Sequence, residues 1–246
     1  MQPRVFVGTL ACGEAELPDC RTAVSAQQGV SVTHTVIEGL PELEAHNALW
    51  SAWEAHKSDH DLFVKVDADT ILIRDTALSE IAALFKNPSV TGAQILLHDY
   101  FTDGLIPGLN SFSRDVVFRR ASNRLMPDRV DAGHNTVLKG DVVRHLAPIG
   151  WHCRSPHPLQ AFHFGLHRAL KKQDDYIARC AEVWLNRRDE ARGWALTGAK
   201  CAGWRTRQHF DYNDTKFRAL FESQQADARR LESVEKFAVR IAKQVA

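Results

Sequence analysis

The sequence predicts an α/β fold with a mainly parallel mixed sheet flanked by helices, followed by a helical C-terminal part. Short apolar runs alternate with segments of helical spacing in the N-terminal part, which indicates parallel strands joined by crossover helices. The 246 residues are 44% hydrophobic and 25% charged, as in ordinary globular proteins. From about residue 168 onward the spacing of apolar residues is helical.

The first elements are predicted in the order β-α-β-α-β. They are strands over 4–9, 30–37 and 62–66, and helices over 19–28 and 42–57. The carboxyl ends of parallel strands meet at one edge of a sheet, and ligands of open α/β folds bind there. Polar residues that follow these strands are therefore candidates for a common site.

The rest of the chain is less regular in pattern. Its predicted elements are a helix over 76–85, a strand over 90–97, a loop-rich segment over 99–113, an irregular segment over 150–165, and helices over 168–192 and 214–245.

Two aspartates, Asp67 and Asp69, follow the third predicted strand directly. Alternate residues of a strand point to opposite faces, but where the backbone turns both carboxylates can approach one cation. Carboxylate oxygens are the ligands that Mg²⁺ and Mn²⁺ prefer. A pair of solvated or capping aspartates is the alternative, but the apolar flanks place the acids in a buried element, where an unpaired charge is costly.

The order of elements together with the stretch KVDADTIL at 65–72 resembles the GT-A glycosyltransferases, and most of all their inverting, family 2-like members. The resemblance covers about residues 4–100. It implies transfer of a sugar from a nucleoside-diphosphate donor to an acceptor hydroxyl, with inversion. It also implies that Asp67 and Asp69 bind Mn²⁺ or Mg²⁺, and that Asp67 contacts the donor.

The resemblance also implies a domain organisation. Residues 1–170 would form the GT-A catalytic domain, with a nucleotide-binding half over about 1–100 and an acceptor half over about 100–170. Residues 171–246 would be a helical C-terminal extension of the same domain.

Three further residues are assigned to the donor site by the resemblance. Thr9, at the end of the first strand, would lie near the nucleotide, and Glu38, at the end of the second, would contact the base or ribose. Asn47 would brace the nucleotide pocket; a helix-surface or capping role for Asn47 stays equally open.

Many GT-A enzymes add one late histidine to the metal site, and four histidines lie between 152 and 167. His163, which precedes a glycine and a basic residue, is the predicted third ligand, with His152 as the second choice. Local spacing in this segment does not indicate a zinc site, since the acids and cysteines of a tetrahedral set are not found together there. An isolated histidine is more often a core or surface residue.

An inverting transfer needs a carboxylate that deprotonates the acceptor hydroxyl. Asp131 is the predicted base, and Asp115 and Asp128 remain alternatives. A retaining enzyme would need no such base.

The composition also constrains partners and compartment. The five cysteines form no CxxC pair, so reduced thiols in a cytoplasmic protein are expected. No apolar run is long enough for a membrane span, which leaves peripheral contact at the inner face of the membrane. The acceptor would be a glycan, a lipid-linked or a small molecule. No nucleic-acid-binding module is recognised, and no nucleic-acid partner is expected.

Three other functions are alternatives to transfer. A haloacid-dehalogenase-type phosphatase would use Asp67 as nucleophile, but the glycine that usually precedes Thr70 is missing and the motif does not follow the first strand. A sugar-nucleotide pyrophosphorylase would carry a glycine-rich N-terminal signature that residues 5–21 lack. A catalytically degenerate GT-A domain that binds sugar nucleotides remains possible.

Overall fold

A computed structural model describes residues 2–128, 147–202 and 211–243. Its strands are β1 (Arg4–Ala11), β2 (Ser31–Glu38), β3 (Leu62–Lys65), β4 (Thr70–Leu72), β5 (Gly92–Asp99), β6 (Gly104–Ser113) and β7 (Gly150–His152). Its α-helices are α1 (Leu17–Ser25), α2 (Glu42–His56), α3 (Ala77–Leu84), α4 (Pro158–Leu170), α5 (Asp174–Arg187), α6 (Glu190–Ala202), α7 (Thr215–Gln225) and α8 (Arg230–Ala242). None of these helices is long and apolar enough to cross a membrane.

The seven strands form one sheet in the order β2-β1-β3-β6-β5-β7-β4. Strand β1 runs parallel to β2 and to β3, and β5 runs parallel to β7. Antiparallel pairs join β3 to β6 and β4 to β7. The predicted α/β class with a mainly parallel mixed sheet is confirmed.

The chain divides into two compact units. The first contains residues 1–99 and 105–154, and the second contains residues 100–104 and 155–246. Helix α4, which the predicted boundary at 170 assigns to the catalytic domain, belongs to the second unit because it packs closely on α6. The division into a catalytic domain and an extension stays a prediction.

Strand β3, which leads to the two aspartates, is anchored in the core of the first unit. Phe6 of β1 and Phe63 of β3 pack against Trp50 and Trp53, which lie one turn apart on the same face of α2. Phe112 of β6 stacks on Phe63 from the next strand. Aromatic side chains of this size supply much of the energy of a core, so they hold the end of β3 firmly in place.

The prediction of a loop over 99–113 is wrong for most of its length, because β6 occupies Gly104–Ser113. The glycines and proline of this segment suggested a loop. In the structure Gly108 lies so close to β5 that a Cβ atom would be 2.7 Å from Leu97 Cδ1. Glycine inside a strand here marks the close approach of a neighbouring side chain and not a break.

The segment predicted as irregular over 150–165 contains β7 and most of α4. Pro158 is in the first turn of α4, where it lacks no helical hydrogen bond, and the Gln160 amide donates to His157 Nδ1 at 3.2 Å. The single helix predicted over 168–192 is divided by Lys172 and Arg188, whose φ angles are 55° and 56°. Such left-handed residues end α-helices.

Two glycines allow α4 and α6 to touch through their backbones. A Cβ atom on Gly165 would lie 1.7 Å from the Ala195 carbonyl oxygen, and one on Gly198 would lie 2.0 Å from the Phe162 carbonyl oxygen. Neither obstacle is a side chain that can rotate away. The helices can therefore keep this distance only if both positions are glycine.

Replacing Gly165 by alanine is expected to lower the free energy of unfolding by about 3 kcal/mol or more, at the upper end of the usual cost of overpacking. Gly193→Ala on α6 is the matched control, because its Cβ would meet the Trp184 side chain at 3.1 Å and alanine favours a helix. Denaturant unfolding followed by circular dichroism measures both. Equal effects of the two substitutions would contradict the assigned contact.

Candidate functional site

The backbone turns sharply between β3 and β4, and this turn carries the two aspartates. The Thr70 amide donates to the Asp67 carbonyl oxygen at 2.9 Å, and the Ala68 amide donates to the Leu10 carbonyl oxygen of β1 at 3.2 Å. The pair thus lies at the carboxyl end of β3, beside the carboxyl end of β1. Both aspartate side chains are half-buried in this turn.

Asp67 is paired with a buried lysine. Lys65 Nζ lies 2.5 Å from Asp67 Oδ1, and the Lys65 side chain is 4% exposed while that of Asp67 is 41% exposed. Burial by itself lowers the pKa of Lys65, but the negative charge of Asp67, with that of Asp128 and Glu42, raises it above its ordinary value. Lys65 therefore carries its charge in the folded protein and holds the Asp67 carboxylate in place.

Asp69 lies beside a histidine and a cysteine. Its Oδ2 atom accepts a hydrogen bond from Cys153 Sγ at 2.9 Å and lies 3.8 Å from His152 Nε2. Cys153 Sγ and His152 Nε2 are 3.6 Å apart. These three residues form a group whose ligand atoms all lie within 4.8 Å of one another, close enough to share one metal ion.

A buried carboxylate orients the histidine. His152 Nδ1 lies 2.7 Å from Asp99 Oδ1, and the Asp99 side chain is fully buried. With Nδ1 donating to Asp99, the lone pair of Nε2 is directed at Asp69 and Cys153. Carboxylates hold the metal-binding histidines of proteins in this way.

The register of three neighbouring strands brings these residues together. His152 of β7 is paired with Asp99 of β5 on one side and with Thr70 of β4 on the other. The Cys153 amide donates to the Asp69 carbonyl oxygen at 2.9 Å. The ligand group is thus built from residues up to 84 positions apart, which local spacing could not indicate.

Negative charge accumulates around this group. The pKa of Cys153 is raised well above its ordinary value by burial and then by the charges of Asp69, Asp99 and Glu16. Burial, with Asp69 adding to it, also raises the pKa of Glu14, although hydrogen bonds from Cys12 oppose this. Carboxylates so placed repel one another, and a divalent cation would neutralise them, so the residues present fit a metal ion.

Thr9 and Glu38 lie at the predicted edge but face different surroundings. Thr9 is fully buried, and its hydroxyl lies 2.9 Å from His34 Nε2. Glu38 pairs with Ala11 in the sheet register, is exposed, and forms an ion pair with Arg21 of α1. Their contacts with a nucleotide stay predictions.

A depression of about 590 Å³ lies between α1 and β2, next to Glu38. It is lined by Arg21, Thr22, Ser25, His34 and Val36. One cation and two hydroxyl groups line this open surface depression.

Asn47 holds a backbone segment. Its Nδ2 atom donates to the Ala121 carbonyl oxygen at 3.1 Å, and the Ala121 amide donates to its Oδ1 atom at 2.8 Å. The side-chain amide thereby braces the chain that follows β6. Its predicted contact with a nucleotide is untested.

His163 and Asp131 complete the predicted site residues. His163 lies on α4 in the second unit, with its ring centroid 4.2 Å from that of Tyr212 and 5.3 Å from that of Phe217. Its role as a metal ligand stays a prediction, and the histidine that accompanies Asp69 in the first unit is His152. Asp131 lies outside the described residues.

Two members of the site were missed by the sequence analysis. Asp99 lies at the end of an apolar strand, as Asp67 and Asp69 do. This position in the sequence could have indicated Asp99 as a site residue. Cys153 directly follows His152, and thiolate sulfur and imidazole nitrogen are both ligands of zinc sites. Spacing within one segment cannot indicate the carboxylate that a distant strand contributes.

The neighbouring His46 is buried in a neutral form. Its side chain is 4% exposed, its Nδ1 atom lies 2.8 Å from the Glu42 carbonyl oxygen, and its Nε2 atom has no hydrogen-bond partner among the described residues. Burial, with the charge of Lys65 adding to it, lowers the pKa of His46 from 6.5 to about 4.

Acid is expected to destabilise the protein through His46. Between pH 6.5, the pKa of His46 in the unfolded chain, and pH 4, about its pKa in the folded protein, the imidazole is protonated only in the unfolded state. The free energy of unfolding is therefore highest above pH 6.5 and decreases as the pH is lowered. The loss by pH 4 is about 3 kcal/mol. Urea unfolding of the wild type and His46→Gln at pH 7 and pH 4 measures it. The idea fails if both proteins lose the same amount.

No protein-family model and no curated protein matches the chain. Similar solved structures include a mannosyltransferase, PcManGT from Pyrobaculum calidifontis, in complex with GDP-Man and Mn²⁺. It is 13% identical, with 99% of this chain and 87% of that chain covered and a TM-score of 0.44.

Two other solved structures match about half of the chain. A glycosyltransferase involved in glycosylation of the major capsid of PBCV-1 is 14% identical, with 46% of this chain covered and a TM-score of 0.33. The A197 protein from STIV is 12% identical, with 46% covered and a TM-score of 0.37. The chain spans 61% and 65% of these two proteins, respectively.

Proposed function

We propose that the protein is a glycosyltransferase that moves a sugar from a nucleoside-diphosphate donor to an acceptor hydroxyl. The observation that carries the proposal is the acidic turn after β3, where Asp69 Oδ2 lies 3.8 Å from a histidine nitrogen that Asp99 orients. An acidic pair with a late histidine is the arrangement that the resemblance to GT-A enzymes implies. The histidine in that role is His152.

Asp67, Asp69 and His152 are the residues that would hold Mn²⁺ or Mg²⁺. The chemistry such an ion supplies is neutralisation of the charge that builds up on the departing diphosphate. Lys65 adds a fixed positive charge 2.5 Å from the Asp67 carboxylate and keeps that carboxylate aligned. Asp99 keeps the His152 ring from rotating, so the ligand atoms are preorganised.

We propose that the nucleoside binds in the depression between α1 and β2. Arg21 there is exposed enough to exchange its ion pair with Glu38 for a diphosphate oxygen, and Glu38 would then accept hydrogen bonds from ribose hydroxyls. Glu38 ends β2 at the edge of the sheet that carries the acidic turn, and Arg21 reaches Glu38 from α1.

An inverting transfer needs a base that deprotonates the acceptor hydroxyl. Asp131 remains a candidate on sequence grounds. Among the alternatives, Asp128 raises the pKa of both Lys65 and His46 and hence acts at the acidic turn, whereas Asp115 is exposed and its amide bonds to Ser113 Oγ. Asp128→Asn with Asp115→Asn as control separates the two, and a loss of transfer with unchanged donor binding identifies the base.

The test of the function is incubation of the protein with Mn²⁺ and a panel of nucleotide sugars. Release of nucleoside diphosphate, and thermal stabilisation by UDP or GDP that requires Mn²⁺, are expected; at 100 times the dissociation constant the stabilisation is about 2.7 kcal/mol. Stabilisation without turnover on any acceptor would indicate a binding module. Hydrolysis of phosphomonoesters that Asp67→Asn abolishes would indicate a phosphatase instead.

A further inference from the structure

We propose that Asp69, His152 and Cys153 form a binding site for a borderline-soft divalent cation of the Zn²⁺ type, with the Cys153 thiolate as one ligand. The hard ions Mn²⁺ and Mg²⁺ prefer oxygen, and a cysteine sulfur is a poor ligand for them. Zn²⁺ combines sulfur, imidazole nitrogen and carboxylate oxygen in one coordination shell. The three residues supply one ligand of each kind.

The distances suit such an ion. With bonds of about 2.3 Å to sulfur and about 2.0–2.2 Å to nitrogen and oxygen, tetrahedral ligands lie about 3.3–3.6 Å apart. The sulfur–nitrogen and nitrogen–oxygen distances here are 3.6 and 3.8 Å. The sulfur–oxygen distance of 2.9 Å is that of a thiol hydrogen bond. Metal binding replaces this hydrogen bond by two metal–ligand bonds, and the thiol proton leaves to solvent.

Two further features distinguish this group from a chance cluster. The fully buried Asp99 holds His152 by its other nitrogen, which is the usual support of a zinc-binding histidine. Cys153 has a φ angle of 51°, a conformation that residues other than glycine rarely adopt. In this conformation the buried sulfur points at Asp69.

The part of the chain that the structure describes supplies three ligands, which leaves the fourth position of a tetrahedral ion open. Asp69 and His152 are 17% and 15% exposed, so water or a ligand oxygen can reach the ion from their side. Zinc sites with three protein ligands and an open position are those at which a further ligand binds or reacts.

The site also implies a form of regulation, and this part rests on the proposed transferase function. Asp69 and His152 belong both to the proposed Mn²⁺ site and to the thiolate site. Because Zn²⁺ binds nitrogen and sulfur ligands more tightly than Mn²⁺ does, it takes Asp69 from the Mn²⁺-dependent donor site. We therefore expect Zn²⁺ to inhibit transfer, and Cys153→Ser to relieve that inhibition.

The experiment is titration of the metal-free protein with Co²⁺, a spectroscopic substitute for Zn²⁺, in a phosphine reductant. We expect a thiolate-to-cobalt charge-transfer band that saturates at one equivalent and disappears when Zn²⁺ is added. The band should be absent in Cys153→Ser and in Cys153→Gly, whose glycine tolerates the φ angle of 51° and preserves the fold. Cys180→Ser, a buried cysteine of the second unit, is the matched control and should keep the band.

Zn²⁺ affinity, measured by competition with a chromophoric chelator, gives the second readout. Asp99→Asn should weaken binding about 10- to 100-fold, the usual effect of losing a histidine's supporting carboxylate, and Cys153→Ser should weaken it more. A missing cobalt band, or a band that survives both Cys153 substitutions, overturns the proposal. A band without turnover of any nucleotide sugar supports the metal site and removes the transferase. Turnover without a band overturns the thiolate site alone.

Discussion

Asp69→Asn is expected to lower Mn²⁺-dependent sugar transfer by about 10³-fold or more. The substitution removes a charged ligand from the acidic turn, and the ion's neutralisation of the leaving diphosphate is worth several kcal/mol. A loss of about 4 kcal/mol corresponds to a factor of about 10³ in rate. Initial rates of nucleoside-diphosphate release at saturating Mn²⁺ measure the effect.

Asp75→Asn is the matched control for this prediction. Asp75 lies on the exposed surface before α3, where its carboxylate takes no part in the site. It should retain wild-type rates and the same Mn²⁺ dependence. A tenfold loss of rate corresponds to about 1.4 kcal/mol of activation free energy. If Asp69→Asn kept more than about a tenth of the wild-type rate, the assignment of Asp69 as a metal ligand would be wrong.

Asp67→Asn is expected to destabilise the fold as well as to impair donor binding. It leaves the charge of Lys65, which is 4% exposed, without its carboxylate partner. Removal of one partner of a buried ion pair costs about 3–5 kcal/mol, and the 41% exposure of Asp67 places this case at the lower end. Urea unfolding at pH 7 measures the change in the free energy of unfolding.

The double variant Lys65→Met, Asp67→Asn tests the cause of that loss. If the unpaired charge is responsible, removing the ammonium should recover most of the stability, because replacing both partners of a buried pair is often neutral. Donor binding should not recover, since the metal-binding carboxylate is still missing. A double variant no more stable than Asp67→Asn would show that the charge of Lys65 is not the cause.

The first half of the fold was predictable because its signals are local. Strands β1 and β3 are apolar runs bounded by turns, β2 carries Val32, Val36 and Ile37, and the aromatic stripe on α2 indicates the helix that packs on β1 and β3. Strand β6 and helix α4 were missed because Gly108 and Gly165 indicate loops when neighbouring residues alone are considered. Their actual role is to let a side chain or a second helix approach, and that depends on residues far away in the chain.

The site, like the fold, was predictable only where its residues are close together in the sequence. Asp67 and Asp69 stand next to each other after a clear strand, so the sequence is sufficient to find them. Asp99, His152 and Cys153 meet Asp69 through the pairing of β5, β7 and β4, and pairing between short strands leaves little trace in the order of residues. A composite site of this kind is apparent only once strand register is known.

The position of β7 between β5 and β4 determines at which stage of folding the site can form. Strand β4 is at the end of the sheet order and, like β7, has three residues, so few hydrogen bonds hold this margin. Its partners are distant in sequence, and contacts of long sequence separation form slowly. Ligands from β7 and from the turn before β4 can meet only after this margin has closed. An ion bound there would stabilise the pairing of the strands that assemble last. Metal affinity would then depend on whether the sheet has formed completely.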